Sequence, residues 1–302
     1  MTSRDPAFRC AIASGERDEP LTGTASNVRA FLLVEHSGPW GVEALRDARL
    51  PDGLGASLAR AASAARVRPL LIRRPDRRSD DTTTRVFAAF AHPSRPWVET
   101  ALLGDPHELL DLDLSVLGAG RSMGLDPSDR TLFCVCTHGR HDACCAERGR
   151  PVAAALAEAR PEETWEVSHI GGDRFAGNLL VLPHGFYYGR VDADSAVALA
   201  DRHAVGELDL DHLRGRSSYA MPVQFAELAL RRHLDEPRND AVRLVSRRVS
   251  DGLTDATFAV DGAEWAVQVR TSKGTDPVQL TCRSSRDSPI PQHELVSLTQ
   301  TS

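Results

Sequence analysis

TLFCVCTHGRHDACCAERGRPVAAALAEA, residues 131–159, is the stretch from which the fold is read. TLFCVC (131–136) is a short apolar run of strand type, and PVAAALAEA (151–159) is Ala-rich and opens on Pro151 as helices often do. Strands are expected next at TWEVSH (164–169), NLLVLP (178–183) and FYYGRV (186–191), followed by a helix at DSAVALADRH (194–203). Upstream, RAFLLVEH (29–36), the helical LGASLARAASAAR (54–66), RPLLIRR (68–74), RVFAAFA (85–91), WVETALLG (97–104) and HELLDLDL (107–114) give the same order. The fold class is α/β with a β-α-β-β-β-α core. Duplication of that core stays open, because no residue-level repeat links the halves.

Beyond Gly206 the texture changes. A helix is expected at VQFAELALRRHL (223–234), then short strands at RLVSRRVS, ATFAVD, EWAVQVR and PVQLTC (277–282). The Gly-rich GAGRSMG (118–124) reads as a linker. Three segments follow: an α/β domain over 21–117, a second α/β domain over 128–205, and a helix plus β-rich C-terminal module over 206–302.

Composition narrows the function. The chain has 302 residues, 41% of them hydrophobic and 26% charged, within the globular range. Its 36 basic and 42 acidic residues give a net charge of −6, against nucleic acid as a partner. All but one of the basic residues are arginine, the exception being Lys273. No apolar run has the length of a signal peptide or a membrane span, so a soluble, cytoplasmic protein without a membrane partner is expected. In a reducing cytosol its six cysteines are not expected to pair as structural disulfides.

Four of those cysteines are Cys134, Cys136, Cys144 and Cys145. Strand alternation puts Cys134 and Cys136 on one face, and the loop THGRHDA brings Cys145 back beside Cys136. Thiolates gathered where a strand ends and a helix starts favour a soft metal. His169 ends the next strand, Asp173 lies four positions on, and Gly171 and Gly172 permit close backbone approach to a bulky ligand. In a parallel β-α-β unit both strand ends lie at one sheet edge, so the two segments should converge. His138, Arg140 and His141 are placed to donate hydrogen bonds to metal-bound sulfur, and Arg174 and Asn178 to fix the loop. Cys10 and Cys282 lie far away in sequence and are expected to leave the centre unaffected.

FCVCTHGRHDACC (133–145), SHIGGDRFAGNLLVLPHGFYYGRV (168–191) and GTASNVRAFLLVEHSGPWG (23–41) together resemble the sucrase/ferredoxin-like family, a branch of the thioredoxin-like 2Fe-2S ferredoxins, over most of 21–205. The resemblance implies a thioredoxin-like fold, in 128–205 and by extension in 21–117, holding a 2Fe-2S cluster that passes single electrons to a redox partner protein. It implies that two cysteines bind one iron and two histidines spaced H-x-x-x-H bind the other. Matched by position these are Cys136, Cys145, His169 and Asp173, the last standing where the pattern has histidine. The fourth ligand is therefore open among Asp173, Cys134, Cys144 and water. No pair of carboxylates can be singled out for glycoside hydrolysis, so the sucrase half of the family name finds no support. Two other classes compete with electron transfer: a thiol-disulfide or redox-sensing protein, which lacks a C-x-x-C pair, and a structural zinc module, whose usual spacing differs from this one.

Overall fold

The computed structural model describes residue 5 and residues 7–76 and 82–301. After a short helix α1 (Cys10–Glu16), the first half runs β1 (Ala30–Glu35), α2 (Ala44–Asp47), α3 (Leu54–Ala65), β2 (Val67–Arg73), β3 (Thr84–Phe90), β4 (Trp97–Leu103), α4 (Leu114–Gly118) and β5 (Asp126–Ser128). The second half runs β6 (Leu132–Cys136), α5 (Ala143–Ala159), β7 (Thr164–Val167), β8 (Leu179–Leu182), β9 (Phe186–Tyr188), α6 (Ala193–Ala204) and β10 (Leu213–Arg216). These strands form one mixed sheet in the order β10-β9-β8-β6-β7-β2-β1-β3-β4-β5.

Both halves share one connectivity. A parallel pair, β1/β2 or β6/β7, is joined through a helix, and the next strand lies antiparallel on the other side of the first. The halves meet where β2 and β7 pair antiparallel, Ile72 opposite Val167 and Arg73 opposite Glu166. The seam extends through Ser168, whose N–H donates to Leu71 O at 2.8 Å and whose Oγ accepts from Leu71 N at 3.0 Å.

Period-two alternation sorts the strand residues into two layers. Phe133 and Val135 pack with Val152 and Leu156 of α5 and Leu199 of α6. Leu32 and Val34 pack in the same way with Leu54 and Leu58 of α3. Cys134 and Cys136 face the opposite layer, shared with Phe31, Leu33, Ile72 and Trp165. Phe87 of β3 and Trp165 of β7 meet edge to face there at 5.5 Å. Two strands lie between β3 and β7, and strands are about 4.8 Å apart in a sheet, so the sheet curls to bring these rings together.

The remaining elements are α7 (Met221–Leu234), β11 (Arg243–Ser250), β12 (Leu253–Val260), β13 (Ala263–Lys273) and β14 (Pro291–Gln300). The four strands form a separate antiparallel sheet in chain order, and Val223, Ala226 and Leu230 of α7 pack on Phe258, Val267 and Val269. Asp251-Gly252 and Asp261-Gly262, all at positive φ, make the two tight hairpin turns.

Three expectations are corrected. The helix read from Pro151 begins at Ala143, because Asp142 caps it by accepting from Cys144 N at 3.0 Å, and Pro151 sits inside it. PVQLTC is not a strand; the fourth strand is β14, and Cys282 instead turns inward, its N–H donating to Asp142 Oδ2 at 2.7 Å. The stretch 118–124 is not a free linker: Met123 packs on the core and its N–H donates to Glu99 Oε2 at 3.0 Å.

Candidate metal centre

β6 and β7 are parallel with Cys136 opposite Val167, so Cys136 and the loop after β7 leave the same sheet edge. α5 lies close against that edge because residue 149 is glycine: a Cβ there would fall 2.0 Å from Cys136 O. The Asp142 cap then sets the first turn of α5 so that Cys145 returns over Cys136. One donor atom each from Cys136, Cys145 and His169 lies within 4.8 Å of the others, and the same holds for His141, His169 and Asp173. Asp173 Oδ1 accepts from Cys145 Sγ at 3.2 Å and lies 2.8 Å from His169 Nδ1. The His169–Asp173 contact is a close ion pair whose direction departs from that of a linear hydrogen bond.

Electrostatics couples these groups. Burial alone would lower the His169 pKa, but Asp173 and the Cys136 sulfur hold it up at about 9. Hydrogen bonding from Cys145 pulls the Cys136 thiol well below its ordinary value against the effect of burial, with His169 adding to the pull. Cys145 is correspondingly raised by Cys136 and by burial. Burial opposes ionisation of Asp173, yet His169 brings its carboxyl below the usual range. Two sulfurs, one imidazole nitrogen and one carboxylate oxygen thus converge as a mixed soft and hard donor set.

The surrounding residues divide by what they touch. The His138 ring is engaged away from the sulfurs, its Nδ1 accepting from His169 N at 3.2 Å and its Nε2 donating to Gly41 O at 2.9 Å, while its backbone N–H is directed at Cys136 and helps to lower that thiol's pKa. His141 stacks on His169 with ring centroids 3.8 Å apart, and its Nε2 lies 3.9 Å from Asp173 Oδ2. Arg140 is exposed, and its carbonyl accepts from Arg283. Gly171 and Gly172 adopt φ of +97° and +81°, but the space at Gly172 is taken by Arg214, 2.2 Å from a Cβ there, rather than by a ligand. Arg174 pairs with Glu19 and stacks on Phe175. Asn178 fixes the loop by donating to Gly172 O at 2.8 Å and accepting from Arg214 Nη1 at 2.7 Å.

Arg214 was not visible as a site residue, since nothing around LRGR marks it. Fully buried, it also donates to Gly171 O and Thr24 O. The first half supports the same loop, Arg68 donating to His169 O at 2.9 Å and Ser26 to Ile170 O at 3.0 Å.

Cys134 and Cys144 are not brought to this centre. Cys134 is buried two residues back along β6, among apolar side chains, where burial pushes its thiol up. Cys144 points elsewhere and joins Cys10, Asp142 and Cys282 in a second group. Sequence distance concealed that group, and its only signal was the Cys144-Cys145 adjacency, which sends neighbouring helical side chains about 100° apart.

The sequence model of the family described as Sucrase/ferredoxin-like matches residues 21–215. The chain belongs to the sucrase/ferredoxin-like family. No curated protein and no solved structure matches the chain. The sucrase/ferredoxin-like region contains Cys136, Cys145, His169, Asp173 and Arg214, and excludes Cys10 and Cys282. Among the described residues, no helix is long and apolar enough to cross a membrane.

Proposed function

We propose that this protein is a one-electron carrier whose 2Fe-2S cluster is held by Cys136, Cys145, His169 and Asp173. The observation that carries the reading is the convergence of four donors: the buried Cys136 and Cys145 thiols lie within 4.8 Å of a His169 nitrogen, and the buried Asp173 carboxylate lies 3.2 Å from Cys145 Sγ and 2.8 Å from His169 Nδ1. Thiols, an imidazole and a carboxylate gathered below the surface are groups that a metal holds together. The donor set fits: such clusters take thiolate and imidazole, and Asp173 adds an anionic oxygen where the resemblance has histidine.

When bound, such a cluster supplies a reversible one-electron couple. The chain keeps water from Cys136 and Cys145, which are 1% and 0% exposed. It leaves the His169 side chain 26% exposed, so a redox partner protein can approach on the histidine side. An imidazole in place of thiolate raises the potential, and the Asp173 charge lowers it again. The strand order β7-β6-β8-β9 around α5 supports reading this half as thioredoxin-like. Six free cysteines suit a cytoplasmic setting.

The test is iron and acid-labile sulfide analysis of anaerobically purified protein, with visible absorption and electron paramagnetic resonance after reduction. Two irons and two sulfides per chain with charge-transfer bands are expected for the 2Fe-2S cluster. Colourless, iron-free protein overturns the reading. A second reading, a zinc ion on the same residues, is favoured by the compactness of Cys136, Cys145 and His169, whose donor atoms lie within 4.8 Å of one another, with Asp173 Oδ1 3.2 Å from Cys145 Sγ. Zinc without iron in that analysis would establish it.

A further inference from the structure

We propose that Cys10, Cys144 and Cys282, together with Asp142, form a second and separate site for a single metal ion of the zinc class. Three regions remote in sequence meet there: α1, the first turn of α5 with its cap, and the 274–290 excursion between β13 and β14. One donor atom from each of the four side chains lies within 4.8 Å of the others.

The sulfur spacing distinguishes coordination from a covalent bond. Cys282 Sγ lies 3.5 Å from Cys144 Sγ and 3.6 Å from Cys10 Sγ. Tetrahedral zinc with Zn–S near 2.3 Å sets its sulfurs about 3.8 Å apart, whereas a disulfide requires about 2.05 Å. The observed spacing matches a shared ion.

Asp142 completes the set. Its Oδ1 accepts from Cys144 N at 3.0 Å and its Oδ2 from Cys282 N at 2.7 Å, while Cys10 Sγ lies 3.5 Å from Oδ1 and 3.6 Å from Oδ2. Each carboxylate oxygen keeps a second lone pair for a metal. The carboxylate is only 1% exposed and lies beside three thiols that ionise when they bind metal, with the Arg9 guanidinium near enough to feel Cys144 and Cys282. A divalent ion would balance the charge of the ionised set.

The excursion gives the site its purpose. Its internal pairing is the isolated bridge Val278–Ser288, and its tip is tied to the large sheet's unit through Cys282 and through Arg283 Nη1, which donates to Arg140 O at 3.0 Å. A long irregular loop with one inward cysteine is a segment that a metal can staple. Cys10 and Cys144 are 0% and 2% exposed and Cys282 is half-buried, and the four side chains supply the four donors that a structural zinc site uses.

The test uses the full chain, with elemental analysis of the wild type, of Cys10→Ser and Cys282→Ser, and of a Cys136→Ser/Cys145→Ser double variant that disables the first centre. The double variant should keep about one zinc per chain. Cys10→Ser and Cys282→Ser should lose that zinc while the metal of the first centre is unchanged. A serine variant can fail to fold, so wild-type alkylation is read by peptide mass spectrometry as well. Cys10, Cys144 and Cys282 should be protected together with zinc present and react together after chelation. Unchanged zinc in both single variants, alkylation that ignores chelation, or a Cys144–Cys282 or Cys10–Cys282 disulfide in fresh protein overturns the proposal. Failure of the first centre alone leaves the single-variant zinc result intact, so the two readings are judged separately.

Discussion

Asp173 stands where the resemblance implies the second histidine of H-x-x-x-H, and it touches both a thiol and the imidazole of the donor set, Cys145 at 3.2 Å and His169 at 2.8 Å. If Asp173 ligates the proposed cluster, Asp173→His should keep iron bound and raise the reduction potential, because a neutral donor replaces an anion. Voltammetry checks the direction; loss of iron in this variant, by the 10- to 100-fold typical of a missing orienting partner, would mean that Asp173 holds His169 rather than the metal. Cys136→Ser and Cys145→Ser should each abolish iron binding, since a soft anionic ligand is lost. Cys10→Ser and Cys282→Ser should leave iron unchanged, now because both belong to the other group. Iron and sulfide assays on the four variants decide this.

At the scale of elements, the contact between α5 and β6 sets the distance between Cys145 and Cys136. Gly149→Ala would drive a methyl to 2.0 Å from Cys136 O, so the helix must lift from the strand. Overpacking of this kind costs about 1–3 kcal/mol, and iron content should fall along with the denaturation midpoint. A second contact, between α6 and β9, gives a pH dependence. His203 Nε2 lies 2.6 Å from Tyr188 OH, and burial lowers its pKa to about 3. The folded state thus refuses a proton that the unfolded chain accepts near pH 6.5. Stability should fall as the pH drops below that value towards about 3, by at most about 1.4 kcal/mol per pH unit. His203→Phe should flatten this part of the profile in urea titrations. The slope would be missing already in the wild type if solvent reaches the ring.

Across the whole molecule, the C-terminal segment is part of the same packing. Gln224 of α7 accepts from Ala25 N and donates to Ala25 O, both at 3.1 Å, and Arg216 and Arg231 share Glu227 at 3.3 and 3.0 Å. A chain cut after residue 215, where the family match ends, should lose cooperative thermal unfolding and expose the apolar face of β8–β10 to aggregation. Calorimetry and light scattering of that truncation test the point, and a soluble, cooperatively melting product would refute it. The first half, in which no cysteine–histidine group is found among the described residues, acts on the candidate centre through Arg68, Ser26 and the Gly41 carbonyl.

Local patterns in the chain determined the strands at 30–35, 132–136 and 179–182, the helix at 54–65 and the meeting of Cys136 with His169, because each depends on periodicity or on the geometry of one β-α-β unit. The order β-α-β-β-β in both halves was legible in the same way. Tertiary structure alone decided the rest. That the two halves join through Ile72 and Val167 into one curled sheet depends on strand edges, which carry no local signature. That Arg214 holds the Gly171–Gly172 loop depends on burial of a charge by residues about 40 positions upstream and about 190 positions upstream, as its bonds to Gly171 and Thr24 record. That Cys10 and Cys282 meet Cys144 depends on closing a loop of 272 residues, a contact set by packing that no sequence window contains.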